Sequence, residues 1–84
     1  MHVEFLGIPR ERAGVSDIDI EAETLGQLLG TLAVRFPELR ELITDAGLHP
    51  SVAANLNGDE FVSDLNRLLR PNDHVILLSA DAGG

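Results

Sequence analysis

The sequence closes on Gly83-Gly84, which places a terminal carboxylate behind two residues that have no Cβ. Such an end can pass through a narrow channel and adopt backbone angles closed to other residues. Six extended residues, from Ser79 to Gly84, reach about 20 Å, enough to enter another protein's active site while the folded part stays outside. A carboxylate is a poor electrophile, so chemistry at Gly84 requires an activated leaving group first. Two glycines alone say little, because chain ends are often rich in small residues. Their weight comes from the strongly apolar run Val75-Ile76-Leu77-Leu78 that leads into them, with only Ser79-Ala80-Asp81-Ala82 between.

The remaining polar residues offer little independent catalysis. His2, His49 and His74 show no i, i+2 or i+4 spacing, and with no cysteine nearby they read as surface residues rather than a zinc or catalytic site. Ser16, Ser51, Ser63 and Ser79 lie outside any Gly-x-Ser-x-Gly nucleophile pattern, and no glycine-rich loop resembles a phosphate cradle. Asp17, Asp19, Glu21 and Glu23 alternate as a wet strand face does, and no metal site is expected of them. Arg10, Arg12, Arg35 and Arg40 read mainly as solvated charges; of these, Arg10, in the first loop, is the candidate for pairing with an acidic group on a partner.

Composition narrows the classes further. Cysteine is absent, which excludes disulfides, thiolate metal sites, iron–sulfur clusters and cysteine nucleophiles, so any sulfur chemistry must use another atom. The net charge of −8 repels phosphates and anionic membranes, and a basic protein partner fits better than nucleic acid or a lipid surface. All basic residues are arginine, so the chain offers no lysine for linking copies of itself. At 84 residues there is room for one compact core. No apolar run approaches the roughly 20 residues of a membrane helix, and Met1-His2-Val3-Glu4 lacks the features of a secretory leader. A soluble, cytoplasmic protein is the expectation.

The elements that must position the tail can be read from periodicity. Residues 2–7 alternate as a strand, with Val3 and Phe5 on one face. Ile8 to Gly14, with its proline and three charges, reads as a loop, and Val15 to Glu21 as a second strand. Thr24 is a good N-cap for a helix carrying Leu25, Leu28, Leu29, Leu32, Ala33 and Phe36 at helical spacing. Gly26 and Gly30 interrupt it, which suggests close packing of that side against a sheet. After Pro37, Leu39, Leu42 and Ile43 imply another turn or two of helix, followed by an irregular stretch. Ser51 to Leu56 reads as a strand, Asn57-Gly58 as a tight hairpin turn with both residues at positive φ, and Phe61-Val62 as the returning strand. Leu65, Leu68 and Leu69 fill a connection to a final strand, His74 to Ser79. There is no internal repeat and no linker before residue 80.

The order β-β-α-β-β-β predicts an α+β fold of the β-grasp, or ubiquitin-like, kind: a mixed sheet packed on one main helix, with the first and last strands side by side in the centre. Residues 1–79 form the domain and 80–84 a flexible tail. In the last strand Val75 and Leu77 share one face, so Ile76 and Leu78 point to the other. They form a docking patch if that face is open, or are covered if the Leu65 to Leu69 connection folds over them.

Asn57-Gly58-Asp59-Glu60, Leu69-Arg70-Pro71-Asn72-Asp73-His74-Val75 and the terminal Gly83-Gly84 resemble the MoaD/ThiS family of sulfur carriers. Phe5 to Gly14 looks like the first strand and loop of the small subunit of molybdopterin synthase, and the chain length points the same way. The resemblance implies a carrier rather than an enzyme, or the small non-catalytic subunit of a synthase. An E1-like enzyme adenylates the Gly84 carboxylate with its own ATP, a sulfur donor converts it to a thiocarboxylate, and an acceptor enzyme consumes the sulfur. No cofactor is expected on the chain itself. Gly83, Ala82 and Asp81 complete the tail, and Leu78, Ile76 and Arg10 are the candidate partner contacts. The acceptor favoured by the pattern is a large molybdopterin-synthase subunit in molybdenum or tungsten cofactor synthesis. The segment before the glycines lacks the proline and aromatic residues common there, so cysteine, thiamine and tRNA thiolation pathways stay open, as does a ubiquitin-like modifier conjugated to lysines.

Overall fold

The computed structural model describes residues 1–80. β1 (His2–Phe5) buries Val3 and Phe5 and leaves Glu4 half-exposed, as its alternation requires. The expected loop after it is instead a short helix, α1 (Ile8–Ala13). Pro9 occupies the second helical position, where a missing N–H leaves nothing unpaired, and Gly14 closes the helix in the left-handed conformation with its N–H donating to Arg10 O. Six residues are too few to show an apolar stripe, which is why the sequence reads as a loop there. β2 is shorter than expected, Asp17–Asp19.

α2 (Leu25–Arg35) begins where Thr24 Oγ1 accepts the Gln27 N–H at 3.1 Å, and it buries Leu25, Leu28, Leu29 and Leu32 against the sheet. Phe36, just beyond, meets Phe5 edge-to-face with centroids 5.6 Å apart. Pro37–Leu42 is a 3₁₀ helix that buries Leu39 and Leu42. Ile43 does not continue it. In place of an irregular stretch, β3 (Ile43–Thr44) and β4 (Gly47–Leu48) form a two-stranded hairpin. β5 (Val52–Leu56) and β6 (Glu60–Val62) pair antiparallel across a turn in which Asn57 and Gly58 have φ of 58° and 74°, both positive as expected. β7 (His74–Ser79) completes the fold.

The main sheet runs β2-β1-β7-β5-β6, with β1 and β7 parallel and every other pair antiparallel. This is the β-grasp arrangement: two hairpins joined through α2, with the last strand inserted between them. Val3, Phe5, Val52, Ala54, Leu56, Val62, Val75 and Leu77 all face α2 and form one core with its leucines.

The two helix glycines behave differently. A Cβ on Gly26 would meet Leu65 O at 3.1 Å and Leu65 Cβ at 3.2 Å, so the close neighbour is the 63–73 connection rather than the sheet. Nothing lies within 4 Å of a Cβ on Gly30. Gly30→Ala is therefore expected to raise stability by roughly 0.5–1 kcal/mol, the ordinary helix-propensity gain. Gly26→Ala should lose that gain to crowding. Chemical denaturation of the two variants checks the contrast, and equal effects would contradict it.

Candidate functional site

Gly84, Gly83, Ala82 and Asp81, the tail expected from the sequence, lie outside the described residues. What the structure does describe is the platform from which they depart. β7 ends at Ser79, and Ala80 N–H still donates at 2.8 Å to the carbonyl of Ser51, the residue before β5, so the backbone is held for one residue past the strand. On its other side Ser79 meets the turn between β1 and α1. Its Oγ accepts the Ile8 N–H at 2.7 Å, across 71 positions of sequence. Gly7 makes room for that contact: a Cβ there would sit 2.2 Å from Ser79 Oγ. Gly7 also has φ 63° and ψ −132°, a region that only glycine occupies readily. Neither residue stands out as functional in the sequence, because the contact depends on β1 and β7 lying parallel.

Ile76 and Leu78 lie on the face of the sheet opposite α2, both half-buried. The Leu65 to Leu69 connection does not cover them. It runs along the start of α2, where Leu25 N–H donates to Arg67 O, Gly26 N–H to Leu65 O and Leu69 N–H to Glu23 O, and where Thr24 bridges Leu68. Leu69 enters the core, while Leu68 stays 73% exposed. On the open face Leu78 is paired with Ala53, and Ile76 with Glu4 and Asn55; Phe61, beyond Asn55, is 66% exposed. Leu6, just past β1, extends the same face by alternation. The result is an apolar strip ending at the root of the tail.

Toward β2 the same face turns polar. His2 bridges Asp17 at 3.0 Å and Asp19 at 2.8 Å, His74 meets Glu4 at 3.1 Å, and the two imidazoles stand edge-to-face at 5.1 Å. Seventy-two positions separate these histidines in sequence, and parallel pairing of β1 with β7 sets them opposite each other. Both histidines are half-exposed, and among the described residues no three or more His, Asp or Glu side chains are grouped as metal ligands would be. The hydrogen bond to Asp19, and then the charges of Asp17, Asp19 and Glu4, hold the His2 imidazolium above its ordinary pKa. The charged form is favoured by folding, so its contribution to stability is present below the ordinary value of about 6.5 and is lost as pH rises through the folded value. An NMR titration should show His2 deprotonating late and Asp19→Asn moving it back toward about 6.5; an unchanged titration in that variant would contradict the cause assigned.

Arg10 lies on α1 rather than in a loop. It is exposed and lines a shallow hollow with Gly7, Glu11, Gly14, Val15 and Ser16. It has no ion pair among the described residues, whereas Arg12 pairs with Glu41 and Arg67 with Glu60. Arg10 thus shares with Leu78 the end of the molecule where the tail leaves, since the first turn of its helix is the one tied to Ser79.

The pattern of the ThiS family matches residues 3–84, nearly the whole chain and the terminal glycines with it. The chain belongs to the ThiS family. Solved structures agree on the fold. This ThiS-family chain is similar to the small archaeal modifier protein 1 of Methanosarcina acetivorans, with 24% identity, 99% of this chain and 94% of that one covered, and a TM-score of 0.80. A structure of the Amycolatopsis orientalis BexX/CysO complex matches at 23% identity, covering 99% and 98%, with a TM-score of 0.80. A Pyrococcus furiosus protein assigned as molybdopterin converting factor, subunit 1, matches at 23%, covering 93% of each chain, with a TM-score of 0.78. No curated protein matches the sequence. Family and fold together place the chain among the ubiquitin-like sulfur carriers, the resemblance its motifs carry. Among the described residues no helix is long and apolar enough to cross a membrane.

Proposed function

We propose that this carrier works through the Gly84 carboxylate, which an E1-like enzyme activates and a biosynthetic acceptor enzyme later relieves of sulfur. One carboxylate oxygen attacks the α-phosphorus of ATP and pyrophosphate leaves. Hydrosulfide then attacks the acyl carbon, AMP departs, and a thiocarboxylate remains. The observation that supports this most directly is the family match running through Gly83-Gly84, on a fold whose central strand ends at Ser79, with three residues between it and them in sequence. The open strip of Ile76 and Leu78 serves as the docking surface, with Arg10 beside it, and the acidic end of the same face suits a basic partner surface. The partner binds the ATP, and this chain supplies the carboxylate.

For the acceptor we favour a molybdopterin-synthase large subunit, on the motif resemblance and on the likeness to the Pyrococcus protein. Conjugation to lysines is the second reading, favoured by the likeness to an archaeal modifier protein. Supplying the purified chain with a cognate adenylase and labelled pyrophosphate tests the first step. ATP–pyrophosphate exchange dependent on Gly83-Gly84 is expected; exchange that persists without the two glycines would overturn the reading. Gly-Gly remnants on target lysines in cells would favour the modifier role over the carrier role.

A further inference from the structure

The contact between Ser79 and the β1–α1 turn does more than close a loop. Ser79 is the last residue of β7, and beyond Ala80 only four residues separate the domain from the carboxylate. On the β5 side the chain is held by ordinary sheet pairing, Val52 with Ser79 and then Ala80 N–H to Ser51 O. On the β1 side the strand partner has already turned away at Gly7, and the Ser79 hydroxyl alone reaches across to it. That hydroxyl accepts the first N–H of α1, a helix whose N-cap is a glycine with no side chain to offer. Pro9, next along, has no N–H to satisfy. A serine at the end of one strand therefore caps a helix that starts 71 positions earlier, and a glycine at positive φ leaves it the space.

We infer that Gly7 and Ser79 form a positioning pair that fixes the direction in which the tail leaves the domain. The inference rests on the carrier reading of the tail. Drawn out extended in a partner's channel, the last four residues span about 13–14 Å, so a swing of about 20° at the root displaces the carboxylate by about 5 Å. Displacements of even about 1 Å can cost on the order of 100-fold in a reaction that depends on alignment. An enzyme that grips the domain by its open face thus meets β7 and Ala80 held in one direction, and Ser79 acts on the chemistry through the segment that follows, not by touching the reacting atoms.

The test is single-turnover adenylation with the adenylating enzyme in excess and varied in concentration, using full-length wild type, Ser79→Ala and Ser79→Thr, each shown by circular dichroism to be folded at the assay temperature. Threonine keeps the hydroxyl and suits a strand. The limiting rate for Ser79→Ala should fall about five-fold, while the enzyme concentration giving half the limiting rate changes less than two-fold, and Ser79→Thr should recover most of the rate. A folded Ser79→Ala that reaches the wild-type limiting rate, or one that shifts only the half-saturating concentration, overturns the positioning role while leaving the carrier reading intact. If wild type itself forms no adenylate, the carrier reading has failed and the inference with it.

Discussion

Gly7→Ala should destabilise the domain by about 2–4 kcal/mol, the sum of backbone strain of order 1–3 kcal/mol at a glycine-only φ,ψ and the loss of a hydrogen bond worth about 1 kcal/mol. The added Cβ would fall 2.2 Å from Ser79 Oγ and 3.1 Å from Ser79 Cβ, so it cannot be accommodated without moving the end of β7. A loss of this size is a large share of the 5–15 kcal/mol that holds a typical domain together, and should lower the melting temperature by roughly 10–30 °C. Urea unfolding measures it directly. Because overlap with Ser79 is part of the cost, Ser79→Ala should cost less in the Gly7→Ala background than in wild type, a non-additivity expected of residues in contact. A loss below about 1 kcal/mol, or strict additivity, would mean that the turn relaxes at little cost and that the contact does not hold the strand.

Leu78→Asp should act on docking and spare the fold. Leu78 is half-buried on the open face and lies outside the core that Val75 and Leu77 enter, so an aspartate there keeps access to water in the free protein. In a complex, the same carboxylate would be stripped of water against an apolar surface, a penalty of about 2–4 kcal/mol or roughly 30- to 1000-fold in affinity. The half-saturating concentration of the activating enzyme should rise accordingly, with the limiting rate within about three-fold of wild type. Leu68→Asp is the control, since Leu68 is more exposed still but lies on the other side of the sheet beside α2. Equal effects at the two positions would remove the open face as the docking surface.

The parts of this fold that the sequence reveals are those whose signal is local. The leucine spacing after Thr24, the alternation of Val3 and Phe5, the Asn57-Gly58 turn and the apolar run from Val75 each specify their element within a few residues, and all four stand where expected. Two pieces escape. α1 has too few residues to display a period, and the β3–β4 hairpin pairs only two residues on each side. The site divides along the same line. Gly83-Gly84 can be read directly, but the company of Ile76 and Leu78 depended on where the Leu65 to Leu69 connection packs. Gly7 with Ser79 and His2 with His74 meet only because the first and last strands lie parallel. Those pairs lie 72 positions apart, where no periodicity within either segment can announce them.

Intact-mass measurement tests most directly whether Gly84 carries the sulfur. The protein is incubated with a cognate E1-like enzyme, ATP and a sulfide source, beside a variant lacking Gly84. The expected result is a gain equal to the exchange of one oxygen for one sulfur, located by fragmentation at the C-terminal residue and absent from the truncated chain. An active adenylase that leaves the full-length mass unchanged, with no acyl-adenylate or conjugate formed, would contradict it.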